Sequence, residues 1–143
     1  MNLTTNCYEY MFSGSTGLKS IPEDLLPATT LAESCYARMF FRCLGLSRVP
    51  KGLLPATTLA KSCYAGMFLG CRALMEVPKG LLPATTLAEY CYSSMFDECT
   101  NLMYGPDLPA TTLTAGCYAN MFSNSGLTSA PGLPATTLAK SCY

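Results

Sequence analysis

Apolar residues return every fourth position along one stretch of this chain. Leu31, Cys35, Met39 and Cys43 are spaced by four, and Ala32, Tyr36 and Phe40 run beside them. Glu33, Ser34, Arg38 and Arg42 fall off this broad stripe. Apolar side chains three and four apart share one helix face, so LAESCYARMFFRC predicts a short helix. Thr30 with Glu33, and Thr86 with Glu89, fit a capping box, in which the threonine oxygen takes a free amide and the glutamate reaches back. LSRVP and LMEVP are short, hold a β-branched residue and are bounded by proline, which predicts a brief strand. Proline ends that strand, and PATTL leads by a turn or a second extended piece into the next helix.

The same pattern recurs. LPATTL begins at Leu26, Leu54, Leu82, Leu108 and Leu133, in steps of 28, 28, 26 and 25 residues. Cys-Tyr falls at Cys7, Cys35, Cys63, Cys91, Cys117 and Cys142, and Met-Phe follows at Met11, Met39, Met67, Met95 and Met121. A leucine column (Leu18, Leu46, Leu74, Leu102, Leu127) and a proline column (Pro22, Pro50, Pro78, Pro106, Pro131) complete the unit. The chain divides into a partial unit 1–25, units 26–53, 54–81, 82–107 and 108–132, and a partial unit 133–143. One such unit is too small to bury its own apolar face. Stacking units in register buries it, and equal positions then meet equal neighbours. The expected fold class is therefore an α/β repeat, a leucine-rich-repeat-like solenoid in one domain over 1–143, each unit with a short strand and a short helix. The shorter units lose residues between their prolines, PDLP and PGLP against PKGLLP, where a connector tolerates deletion.

Composition narrows the chemistry. The 143 residues are half apolar and 13% charged, with zero net charge and no Lys/Arg cluster, so nothing favours nucleic acid or an anionic membrane. No apolar run approaches the roughly 18–20 residues of a membrane span. The opening MNLTTNCYEYMF lacks the basic and apolar regions of a signal peptide. Histidine is absent, which removes Ser-His-Asp and Cys-His catalysis and most catalytic zinc sites. The paired carboxylates Glu23-Asp24 and Asp97-Glu98 are neighbours on expected surface turns, and no glycine-rich phosphate loop occurs. No enzyme activity and no cofactor or metal is expected.

CxxLxxxP followed by a turn and a short helix carrying an aromatic and a second cysteine resembles the BspA-like leucine-rich repeats. The fuller spelling LPATTLAxxCYxxMFxxC is similar to a subgroup found in surface proteins of gut Bacteroidetes and in proteins of their phages. The resemblance implies a curved solenoid with short parallel strands on one face and helical or irregular segments on the other. It also implies a non-catalytic binding or adhesion module of a bacterial surface protein, extracellular or at the cell surface. The alternative it allows is a structural or host-contacting component of a phage particle, a fibre or decoration protein of the virion. The implied partner is a protein or glycan ligand.

The nine cysteines form two columns, Cys7, Cys35, Cys63, Cys91, Cys117, Cys142 and Cys43, Cys71, Cys99. Packed helices would hold equal positions about 8–10 Å apart, beyond the roughly 7 Å limit of a disulfide. No CxxC spacing suggests zinc. Buried free thiols acting as small apolar residues are expected, with Ser15 and Ser125 in the second column of the first and fifth units. The Met and Tyr columns are expected in the core, the tyrosine hydroxyls reaching its rim. Function is expected where units differ at exposed positions. The pair before the apolar strand residue varies most, giving a candidate binding face of Ser20, Arg48, Glu76, Tyr104 and Ser129. A second variable set, Arg38, Gly66, Ser94 and Asn120, lies on the expected outer helix face. Ordinary drift on a solvated surface produces the same variation. From Leu108 to Tyr143 the only charge is Lys140, and the last copy stops before its Met-Phe. The C-terminal end is expected to be covered by further repeats or by neighbouring chains of the same assembly.

Overall fold

A computed structural model describes residues 3–143; Met1 and Asn2 of the opening unit lie outside the described residues. The expected helices do not form. Among the described residues the one helical element is a 3-10 turn, Lys79–Leu81. The brief strands reduce to three isolated parallel bridges, Thr30–Thr58, Arg48–Glu76 and Thr112–Thr137. The capping boxes accordingly have no helix to cap, and Thr30 pairs with Thr58 instead.

LAESCYARMFFRC is a ribbon of overlapping β-turns. Alternate amides close turns three residues back: Cys35 to Ala32, Ala37 to Ser34, Met39 to Tyr36, Phe41 to Arg38 and Cys43 to Phe40, at 3.0–3.3 Å. The intervening amides leave the unit. Ser34, Tyr36, Arg38, Phe40 and Arg42 donate to the carbonyls of Lys61, Cys63, Ala65, Met67 and Leu69 of the next unit, at 2.8–3.0 Å. Every fourth residue takes a left-handed conformation: Ser34, Arg38 and Arg42 at φ 51°, 50° and 54°, then Ser62, Gly66 and Gly70 at 54°, 60° and 73°. This is the third-residue conformation of turns that favour glycine or asparagine there.

The apolar spacing explains why a helix loses. An α-helix advances about 100° per residue, so a four-residue spacing drifts by about 40° each time. Across Leu31, Cys35, Met39 and Cys43 that drift reaches about 120°, too much for one buried stripe. A ribbon repeating every four residues keeps all of them on one side. Cys35, Tyr36, Met39, Phe40 and Cys43 are buried, and Arg38 and Arg42 are exposed. Left-handed backbone costs about 1–2 kcal/mol per non-glycine residue. Burial and one hydrogen bond to the next unit per two residues offset that cost. At Gly66 and Gly70 no such penalty arises, and the open space takes a long neighbour. A Cβ on Gly66 would come within 3.0 Å of Arg38 Cγ, and one on Gly70 within 2.9 Å of Arg42 Cγ.

The units stack so that like packs on like. Tyr8, Tyr36, Tyr64, Tyr92, Tyr118 and Tyr143 form one column, with ring centroids 5.6–6.0 Å apart and planes within 14°. Phe12, Phe40, Phe68, Phe96 and Phe122 form a second, at 5.6–5.8 Å. Met39, Met67, Met95 and Met121 and the leucines from Leu46 to Leu102 fill the same core. The tyrosine hydroxyls do not all reach its rim. Tyr64 and Tyr92 are buried with hydroxyls that find no protein partner, because each ring is clasped by identical rings above and below. The connectors close with turns from Leu25, Leu53 and Leu81 back to Pro22, Pro50 and Pro78. In the shortened fourth unit the Asp107 amide bonds directly to the Lys79 carbonyl at 2.8 Å.

Two substitutions test this backbone. Met67→Ala, at a fully buried site, is expected to lower stability by about 2–5 kcal/mol in urea denaturation. Ser94 sits at φ 52°, so Ser94→Gly should raise stability and Ser94→Val lower it by about 1–2 kcal/mol. In a helix the glycine variant would lose about 0.5–1 kcal/mol, so the sign of that change separates the two backbones.

Candidate binding face

The variable positions follow the buried leucines, where the chain runs extended against its neighbours. Arg48 and Glu76 pair as a parallel bridge; Met75 N–H donates to the Ser47 carbonyl at 3.0 Å and Val49 N–H to that of Glu76 at 3.4 Å. Thr128 N–H donates to the Met103 carbonyl at 3.1 Å, and the Thr128 hydroxyl donates to the same oxygen at 3.3 Å. These bonds set Arg48 beside Glu76 and Ser129 beside Tyr104. All five candidate residues, Ser20, Arg48, Glu76, Tyr104 and Ser129, are exposed.

Glu76 and Tyr104 share one open depression of about 550 Å³ with Met75, Thr100, Asn101 and Met103. Its floor is unusually apolar for a surface: Met75, Met103 and Tyr104 are 52%, 48% and 62% exposed. Its rim carries a carboxylate, a carboxamide and a hydroxyl. Ser20 is not among these residues. It lines a separate apolar cleft with Phe12, Leu18, Ile21, Leu25 and Phe40. Thr100 and Asn101 were not singled out by sequence reasoning. They follow the second cysteine column, and only the fold of the unit carries them beside Tyr104.

The second variable set has a backbone explanation. Arg38, Gly66, Ser94 and Asn120 all have left-handed φ, 50°, 60°, 52° and 54°. Glycine and asparagine recur there because the conformation favours them. Around this edge Arg38 Nη1 donates to the Tyr10 hydroxyl at 2.8 Å. Arg72 pairs with Glu98 at 2.8 Å, the one ion pair among the described residues. The Arg72 hydrogen bond holds the Glu98 carboxyl below its ordinary value. Both contacts face solvent and are screened.

The cysteines need a different argument from the one that helix packing supplied. Units joined by backbone hydrogen bonds lie as close as neighbouring strands, about 4.8 Å, so separation does not forbid a disulfide between equal positions. All nine thiols are nevertheless free. In the second column each sulfur donates to the carbonyl of a phenylalanine one unit back: Cys43 to Phe12 at 3.2 Å, Cys71 to Phe40 at 3.1 Å and Cys99 to Phe68 at 3.2 Å. That role suits serine as well, which occupies the position at Ser15 and Ser125. Among the described residues no group of three or more His, Cys, Asp and Glu is placed to hold a metal ion. No helix among them is long and apolar enough to cross a membrane. No known family, curated protein or solved structure matches the chain.

Burial sets the thiol chemistry. Desolvation pushes Cys35 from 9.0 up to about 11, and Cys91 and Cys99 up to about 12. Cys7 alone is exposed. An aromatic disulfide reagent at pH 8 is expected to modify one thiol rapidly in the folded protein and all nine after unfolding. Because folding raises these values, their contribution to stability is complete below pH 9 and is lost as pH rises from 9 toward 12. Urea midpoints measured across that range should fall.

Proposed function

We propose that the chain is a non-catalytic binding module, a BspA-like solenoid of stacked repeats that presents a ligand face at a bacterial surface. The observation that carries the reading is the depression between Met75, Glu76, Asn101 and Tyr104, where exposed apolar side chains lie beside polar ones. Packing does not dictate Met75, Glu76, Met103 or Tyr104, because equal positions in other units hold serine, threonine, lysine or arginine. An exposed aromatic flanked by thioethers supplies contact area. The carboxylate and carboxamide supply direction. A protein loop or a glycan with one apolar face fits this chemistry; Arg48 and Glu76, opposite in sign and adjacent, disfavour a ligand of uniform charge.

A second reading, a structural or host-contacting part of a phage particle, draws support from the apolar cleft at the last complete unit, lined by Leu108, Met121, Phe122, Leu127 and Tyr143. The two readings differ in where a partner sits.

Binding of the purified chain to a glycan array and to immobilised mucin tests the first reading. Tyr104→Ala and Glu76→Lys should each weaken the signal at least about tenfold, a loss of 1.4 kcal/mol, and leave the melting temperature unchanged. Absence of binding, or binding indifferent to both variants, would overturn it.

A further inference from the structure

Three successive units set a cation, an anion and an aromatic ring in one row. Arg48, Glu76 and Tyr104 occupy equal positions, each two residues after a buried leucine and two before a proline. Arg48 and Glu76 pair as a parallel bridge, so their side chains leave backbones about 4.8 Å apart on the same side. They form no ion pair with each other; among the described residues only Arg72 and Glu98 do. Both charges are exposed and stay open to an outside partner. Glu76 also lines the depression that holds Met75, Met103 and Tyr104. Two thioethers and a ring accept no strong hydrogen bond. An ammonium carrying N–H groups would leave them unpaired against that floor, whereas a methylated one has none to lose.

We infer that this row takes a quaternary ammonium tethered to a phosphate, the phosphorylcholine group, borne on a glycan. The inference rests on the reading of the depression as the ligand site and names the chemistry of what enters it. The trimethylammonium sits among Met75, Met103 and the Tyr104 ring, with the Glu76 carboxylate balancing its charge. The phosphate lies one unit back, where the Arg48 guanidinium forks onto two of its oxygens. A lone cation would be repelled by Arg48, and a lone anion by Glu76. Only a ligand carrying both signs is attracted by both residues. Its charges must span neighbouring units, which the two-carbon link of phosphorylcholine allows and the single carbon of glycine betaine does not. A bilayer is disfavoured as the source. Binding to a membrane surface scales with the apolar area that enters it, and the row offers one depression, flanked by Ser20 at one end and Ser129 at the other.

Calorimetric titration of the chain with phosphorylcholine, choline and phosphoethanolamine tests this. Phosphorylcholine should bind, and the other two should each bind at least about tenfold more weakly, one for want of the anion and the other for want of the methyl groups. Arg48→Gln should weaken phosphorylcholine about tenfold and leave choline bound as well or better, because it removes an attraction from one and a repulsion from the other. Glu76→Gln should weaken both. Neither exposed substitution should move Tm. No binding of phosphorylcholine, equal affinity for choline and phosphorylcholine, or an equal loss of both in Arg48→Gln would overturn the proposal. So would capture by phosphatidylcholine vesicles without binding of free phosphorylcholine, which would assign the row to a bilayer. Failure of the headgroup is separable from failure of the site. Glycan-array binding that Tyr104→Ala abolishes but phosphorylcholine does not compete away would overturn this inference and leave the depression as the ligand site.

Discussion

The structure depends on a division of backbone amides. Along each ribbon one amide closes a turn within its own unit and the next crosses to the following unit. A helix would keep every amide to itself, leaving side chains alone to hold the units together. A sheet would send nearly all amides across to neighbouring units and leave no turns within the unit. The alternation satisfies both local turn geometry and stacking. Its cost is a left-handed residue at every fourth position, and the sequence carries glycine or asparagine at several of them, including Gly66, Gly70, Gly116, Asn120 and Asn124.

That spacing governs the core. Because the units are joined through backbone bonds, equal side chains lie in contact, and aromatic residues form two continuous stacks from the first unit toward the last. The stacks explain the near identity of the repeats at buried positions. A ring of different size would lose its neighbours on both sides. The buried hydroxyls of Tyr64 and Tyr92 show what this uniformity costs, since the column fixes the ring and leaves the oxygen without a protein partner. The thiols of Cys43, Cys71 and Cys99 fare better, because a phenylalanine carbonyl one unit back lies within reach.

The same constraint divides the surface. Positions at the left-handed edge vary between units, yet their choices answer to backbone conformation first. Positions after the buried leucines are free of that demand. There Met75, Glu76, Met103 and Tyr104 depart from their counterparts in the other units and gather into one depression. The functional reading rests on that difference in freedom.

Much of this organisation was legible in the sequence. The repeat, the buried Cys, Tyr, Met and Phe columns and the exposure of the variable pair all follow from spacing and polarity, because burial repeats whenever the surroundings repeat. The backbone was not read correctly. Apolar residues at intervals of four suit a helix over one or two turns, and the drift that disqualifies it shows only when the strict interval is followed from Leu31 to Cys43. Glycine or asparagine at several of these positions, Gly66, Gly70, Gly116, Asn120 and Asn124, was the available sign of a left-handed residue. What only the tertiary structure decided is where the alternate amides go, since their acceptors lie some 25–28 residues away in the next unit. From that one choice follow the close spacing of the units, the fate of the cysteines and the meeting of Asn101 with Tyr104. None of these is a property of a segment by itself. Each exists only once neighbouring units share their hydrogen bonds.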